Sequence, residues 1–241
     1  MISEHFITRV TLRRDTIRTL DSYPFSVPAL SQMDSLEMHP AVTFFIGENG
    51  SGKSTLLEAL AVSVRLNAEG GSHHFNFNTR ISHSSLSDHL RVAKGIKRPR
   101  SKYFLRAESF FNVATELENI GDDVGSHGKR LLHEQSHGES FMALFSNRFY
   151  PQGLYLLDEP EAAMSTSGLL RMLALLHDKV KEQSQFIIVT HSPILLAYPN
   201  ATIYQFSERG IEQVAYEDTE HYQLTRAFLN NPQRMLNELL T

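Results

Sequence analysis

The sequence predicts an α/β fold in which a mostly parallel sheet carries helices on both faces. Three observations predict it. The runs Ala41–Ile46, Gly153–Leu157 and Phe186–Thr190 are apolar without alternation, as expected of strands covered on both sides. Segments with helical spacing follow two of them: Leu56, Leu57, Leu60, Ala61 and Val64, then Leu169, Leu173, Leu176 and Val180. Between the first strand and its helix stands a glycine-rich loop, Gly47-Glu48-Asn49-Gly50-Ser51-Gly52-Lys53-Ser54-Thr55. Strands alternating with helices are the pattern of parallel sheets joined by crossovers.

Taken in order, His5–Ile17 and Tyr23–Leu30 read as strands or extended segments punctuated by Pro24 and Pro28. They feed the strand at Ala41–Ile46. A helix over Lys53–Leu66 is closed by Gly70-Gly71. Ser72–Leu90 is polar and without a period, a loop with short strands. Tyr103–Ala107 is a strand leading into a helix over Glu108–Ile120, and Gly121–Glu134 is a connector. A helix runs from Ser136 to Phe145, a strand over Gly153–Leu157, an amphipathic helix over Leu169–Lys181, and a buried strand over Phe186–Thr190. Ala201–Phe206 and Ile211–Tyr216 flank Glu208-Arg209-Gly210 as a hairpin. Thr219–Leu240 is helical around Pro232. No internal repeat or long linker interrupts this order, and 241 residues suit a single domain over 1–241.

Composition excludes more than it assigns. A formal net charge of −4 offers no global attraction for a polyanion. The absence of cysteine excludes a disulfide framework and thiolate metal ligation. No apolar run reaches spanning length, and Glu4 and His5 stand where a secretory leader would be apolar. The expectation is a soluble, cytoplasmic protein with no membrane segment of its own.

The glycine loop fits the pattern G-x-x-x-x-G-K-[ST] in its required setting, after a strand and opening a helix. Glycines at 47, 50 and 52 let the backbone aim N–H groups at an anion. The helix N-terminus adds unpaired donors and the positive end of its dipole. Lys53 is placed to reach the β- and γ-phosphates and Ser54 to hold Mg²⁺. A nucleoside triphosphate is therefore the expected ligand. Leu154-Tyr155-Leu156-Leu157-Asp158-Glu159-Pro160 ends a strand in two carboxylates. Asp158 can hold the Mg²⁺ shell and Glu159 can polarise an attacking water as general base. Ser136-His137-Gly138-Glu139-Ser140 has the S-x-x-E spacing of a capping box. The same exposed N–H groups and serine hydroxyl can take a γ-phosphate, so capping and phosphate binding are compatible. Phe186-Ile187-Ile188-Val189-Thr190-His191-Ser192 ends a buried strand with a histidine.

With these four motifs in this order, the chain resembles the ATP-binding-cassette ATPase superfamily over roughly Ala41–Ser192. It is most similar to soluble RecF-like and SMC-like members and to stand-alone bacterial ATPases. The resemblance implies a P-loop NTPase with an N-terminal antiparallel β subdomain and a short helical insert carrying the signature region at about 108–150. It implies an ATP-dependent homodimer in which Gly47–Thr55, Asp158, Glu159 and His191 of one protomer face Ser136, Gly138 and Glu139 of the other. His191 would be the switch histidine contacting the γ-phosphate. Ser165 matches the cross-dimer loop. DNA maintenance or defence is the process the resemblance suggests; the alternatives are the motor subunit of a membrane transporter and a non-hydrolysing ATP-gated interaction module.

The chain departs from the family pattern in two places. The family has a glutamine at the end of the strand before the insert, and none occurs between Gln32 and Gln135. Glu108 either takes its place beside Mg²⁺ or is a helix N-terminal acid favoured by the dipole. The step from Glu108 to Ser136 is too short for a coiled-coil arm or a large helical subdomain. Among weaker features, Arg91, Lys94, Lys97, Arg98, Arg100, Lys102 and Arg106 form a basic stretch with no acid among them. It can track a nucleic-acid backbone or be a solvated loop and strand face. His73-His74 reads as a metal-ligand pair or as loop histidines. Tyr23 either stacks on adenine or belongs to the core. A soluble protein effector is the remaining partner class.

Overall fold

A computed structural model describes residues 6–67, 84–106, 145–146 and 148–240. Among these, six strands form one sheet in the order β5-β6-β7-β3-β8-β9. They are β3 (Val42–Gly47), β5 (Ser101–Arg106), β6 (Gly153–Asp158), β7 (Gln185–Val189), β8 (Thr202–Ser207) and β9 (Gly210–Val214). Every pairing is parallel except β8 with β9, the hairpin expected around Gly210. A second sheet is antiparallel, with β1 (Ile7–Leu12) between β2 (Ser35–Glu37) and β4 (Leu90–Lys94).

The central strands read as unbroken apolar runs because both faces are covered. Ile187 and Val189 of β7 and Phe45 of β3 join one core with Leu56, Leu57 and Leu60 of helix α2 (Lys53–Ser63). That core continues into Val10, Leu12, Leu36 and Leu90 of the antiparallel sheet. Phe186 and Ile188 of β7, with Val42, Phe44 and Ile46 of β3, enter a second core on the opposite face. Leu169, Met172 and Leu176 of helix α3 (Thr166–Lys181) close it; of the stripe expected at helical spacing, Leu169 and Leu176 are buried, while Leu173 and Val180 are partly buried at its margin.

Gln185 ties the two sheets together. Its Oε1 accepts from the Phe6 and Ile7 amides at 3.0 and 2.9 Å. Its Nε2 donates to the Ile7 and His39 carbonyls at 2.8 and 2.9 Å. Gln185 is 1% exposed, and three of the four bonds are fully buried, the one to His39 being half-buried.

Two expectations near the N-terminus are corrected. The extended segment predicted over Tyr23–Leu30 instead turns and enters a short helix, α1 (Pro28–Gln32). Pro28 stands at its start, where a fixed φ and a missing N–H suit a helix, so the proline read as punctuation is an initiator. The first strand stops at Leu12 and is followed by a single 3₁₀ turn over Arg14–Thr16. The C-terminal segment is helical around Pro232 as expected, through α5 (Glu220–Asn230) and α6 (Pro232–Leu239), after the short α4 (Pro193–Leu196). The predicted helices over Glu108–Ile120 and from Ser136 lie outside the described residues, apart from the last residue of the second, Phe145.

Candidate functional site

Because β3, β6 and β7 are parallel, their C-terminal ends share one sheet edge, where α/β folds hold their ligands. Gly47, Asp158 and the residues following Val189 meet there. Gly47 has φ 139°, and a Cβ on it would stand 2.3 Å from the Phe206 carbonyl oxygen of β8. Only glycine lets the loop leave the strand so close to its neighbour. Gly52, with φ 96°, caps α2 and would drive a Cβ to 2.9 Å from Leu30. α1 is therefore a buttress under the loop. A cleft of about 1030 Å³ opens beside it, lined by Gly47–Ser51, the start of α1, the β8–β9 turn, His191 and His221.

Lys53 is 4% exposed and its Nζ donates to the Gly47 and Glu48 carbonyls at 2.8 and 2.7 Å. Burial lowers its pKa, and the nearby carboxylates of Glu159 and Asp158 work in the opposite direction. Ser54 donates its hydroxyl proton to Asp158 Oδ1 at 2.9 Å, joining the loop helix to the end of β6. The Asp158 Oδ2 lies 3.5 Å from Arg106 Nε, and Arg106 Nη1 donates to Glu58 Oε2 at 3.2 Å. Arg106 ends β5 directly beside Asp158 in register.

Glu159 sits in the left-handed region at φ 49°, held by its amide donating to the Val189 carbonyl at 3.0 Å. A glutamate pays strain in that conformation, and such strain gathers at functional positions. The turn carries its carboxylate to 3.5 Å from His191 Nε2. Glu161 accepts from Thr190 Oγ1 at 2.8 Å and from the His191 amide, locking the carboxylate turn to the end of β7. On the other side, His191 Nδ1 lies 3.1 Å from His221 Nε2 of α5.

The residues fit a bound phosphate chain. Ser51 Oγ and His191 Nε2 are buried polar atoms with no hydrogen-bond partner among the described residues, and both residues line the cleft beside the loop. Among the described residues no group of three His, Cys, Asp or Glu is set to hold a metal by itself. A Mg²⁺ at Ser54 and Asp158 would draw its remaining ligands from phosphate and water, as this ion ordinarily does.

The structure thus brings together Gly47–Thr55, Asp158, Glu159 and His191. Ser136, Gly138, Glu139, Glu108 and His73-His74 lie outside the described residues. Ser165 is exposed and caps α3, accepting from the Gly168 amide at 3.2 Å. Tyr23 is no core residue: it is 62% exposed, and its hydroxyl lies 2.9 Å from Thr55 Oγ1 at the loop helix. The basic stretch does not form one solvated face. Arg91, Lys94, Lys97, Arg98 and Arg100 are exposed. Lys102 instead bonds the Val64 carbonyl, its pKa lowered by burial and then by Lys94 and Arg65, and Arg106 points into the site.

Three residues of this site escaped sequence reasoning. Arg106 was hidden among like charges, although its place at a strand end next to the β6 carboxylate could have singled it out. Glu161 stands one place beyond the motif that ends at Pro160, and His221 belongs to no motif.

A family model described as ABC transporter matches residues 34–162. The cytochrome c biogenesis ATP-binding export protein CcmA of Alkalilimnicola ehrlichii is 28% identical over 159 residues, 60% of this chain and 66% of that protein. The chain thus spans just under two thirds of that relative. Among solved structures, the SMC head domain from Thermotoga maritima is 14% identical with a TM-score of 0.48, covering 87% of this chain and 98% of that one. The cbiO1 protein from Clostridium perfringens, part of the ABC transporter complex cbiONQ, is 18% identical with a TM-score of 0.49, covering 87% and 91%. With the family model spanning more than half of the chain, and the phosphate loop and strand-end carboxylates both inside the matched segment, this chain belongs to the ABC transporter family as an ATP-binding domain.

Proposed function

We propose that the chain hydrolyses ATP with Mg²⁺ in a head-to-tail dimer, each composite site being completed by the partner's signature segment. The observation that carries this reading is the meeting of Lys53, the bonded pair Ser54 and Asp158, and the facing pair Glu159 and His191 at one sheet edge. In this reading Lys53 and the loop amides hold the phosphates, with Lys53 leaving its two carbonyls for stronger anionic acceptors. Ser54 and Asp158 hold Mg²⁺, which when bound neutralises phosphate charge and orients the terminal group. Glu159 takes a proton from the attacking water. His191 donates from Nε2 to the terminal phosphate. Ser136, Gly138 and Glu139 face that phosphate from the other protomer, and Glu108 either contacts the Mg²⁺ shell or only begins its helix. A single domain over 1–241 is part of this proposal.

A test of the metal assignment is ATP hydrolysis under chelation. Activity should vanish in EDTA, return with MgCl₂, and stay absent in Asp158→Asn at any magnesium concentration. Wild-type turnover by Asp158→Asn would remove the assignment.

Two processes have support. The short step from Glu108 to Ser136 and the exposed Arg91, Lys94, Lys97, Arg98 and Arg100 favour a stand-alone ATPase acting in DNA maintenance or defence. The likeness to an export protein favours the motor of a membrane transporter; among the described residues no helix is long and apolar enough to cross a membrane, so the spanning part would come from a partner. Co-purification separates them, since nucleic acid or a soluble effector supports the first and an integral membrane protein the second.

A further inference from the structure

His191 is held by three contacts, and the one from His221 is made by an element outside the four motifs. The start of α5 is fastened to the loop that carries His191. Thr219, fully buried, caps α5 by accepting from the Tyr222 amide at 3.3 Å and donates to the Tyr216 carbonyl at 2.7 Å. Tyr216 in turn donates its hydroxyl to the Pro193 carbonyl at 3.0 Å, two residues beyond His191. This chain of bonds sets the His221 ring 5.3 Å from the His191 ring, with Nε2 3.1 Å from Nδ1.

A single proton occupies that N···N contact when both rings are neutral, and two arrangements are open. If His191 supplied it, His221 would carry its own proton on Nδ1, a buried atom with no hydrogen-bond partner among the described residues. His191 Nε2 would then turn a lone pair toward the Glu159 carboxylate at 3.5 Å. A buried N–H without a partner is costly in either arrangement, at His221 Nδ1 in this one and at His191 Nε2 in the other, so the Glu159 carboxylate decides: it repels a lone pair and attracts an N–H. If His221 supplies the proton, its Nδ1 is only an under-used acceptor, and His191 carries N–H on Nε2, facing Glu159 and the cleft. Burial, reinforced by His191 and Lys53 and opposed by Glu220, lowers the His221 pKa.

We propose that His221 is a positioning residue that fixes His191 as the Nε2–H tautomer, the form able to donate to the terminal phosphate of ATP. The inference rests on the reading of His191 as the phosphate-contacting histidine. It gives the C-terminal helices a part in hydrolysis, because any shift of α5 changes the donor state of His191.

The test compares wild type, His221→Leu, His221→Gln and His191→Ala by melting temperature and by steady-state hydrolysis of ATP with MgCl₂. Nitrogen-15 NMR of the wild-type histidine rings accompanies it. His221→Leu should keep its KM for ATP and lose about tenfold or more in kcat, the scale set by loss of an orienting partner. His221→Gln, whose amide can donate the same bond, should recover most of that loss. The wild-type spectrum should show His191 protonated on Nε2. A folded His221→Leu with wild-type kcat, or a His191 ring protonated on Nδ1, would overturn the proposal. His191→Ala separates the two levels: wild-type turnover there would overturn the reading of His191 itself. An inactive His191→Ala beside a fully active His221→Leu would overturn the role of His221 alone.

Discussion

Lys53 and Glu159 carry the most consequence for the least change in shape. The Lys53 ammonium is buried against two carbonyls at the neck of the loop. Lys53→Ala removes the charge partner of the β- and γ-phosphates. Binding of a labelled ATP analogue should be lost or severely weakened in an otherwise folded protein, and unchanged affinity would refute the loop assignment. Glu159 is held in a strained turn within reach of His191. Glu159→Gln preserves the side chain's shape and removes its basicity, so ATP binding should survive while turnover falls roughly 10²-fold or more. The mutant should also accumulate as an ATP-bound dimer, because hydrolysis no longer opens it. Light scattering with and without Mg-ATP reads this, and wild-type turnover would sink the role given to Glu159.

At the scale of elements, one side chain joins the antiparallel sheet to the parallel one. Gln185 satisfies two amides and the Ile7 carbonyl, all buried, and the half-buried His39 carbonyl. Gln185→Leu keeps the volume and orphans those groups, each at roughly 1–3 kcal/mol. The loss should total about 3 kcal/mol or more, and Tm should fall by roughly 6 °C or more for a chain of this size. Thermal unfolding followed by circular dichroism measures it. A Tm unchanged within error would mean that the apolar core alone holds β1 in place. The buttressing of the loop by α1 belongs to this scale too. Its Leu30 fills the space a Cβ at Gly52 would need.

For the whole molecule, the question is whether two copies close over ATP. Ser136→Asp discriminates, since aspartate caps a helix as well as serine does. Against a partner's terminal phosphate, however, it sets charge against like charge in a partly desolvated interface, at a cost of several kcal/mol. The expected outcome is a near-normal melting temperature with loss of ATP-dependent dimerisation and of most hydrolysis, measured on one preparation. Full activity would leave Ser136 with only the capping role.

The buried strands of the parallel sheet, the phosphate loop and the strand-end carboxylates were legible in the sequence because each is a local event. An unbroken apolar run means both faces are covered, glycines at 47 and 52 mark turns no side chain fits, and Asp158-Glu159 follow directly on a buried strand. The hairpin at Gly210 and the helix stripe at Leu169, Met172 and Leu176 are local in the same sense, apart from Met172 standing in the stripe where Leu173 was read. What only the tertiary structure decided depends on register between distant segments. Arg106 is one cation among seven in the sequence until parallel pairing sets it beside Asp158. Gln185 is an ordinary polar residue until β1 is laid against β7. His221 has no motif because its partner is thirty positions away and reaches it only after α5 is fastened to the His191 loop. Side-chain chemistry and backbone period are written along the chain, whereas the pairing of one carboxylate or imidazole with another is set by packing that no short window of sequence contains.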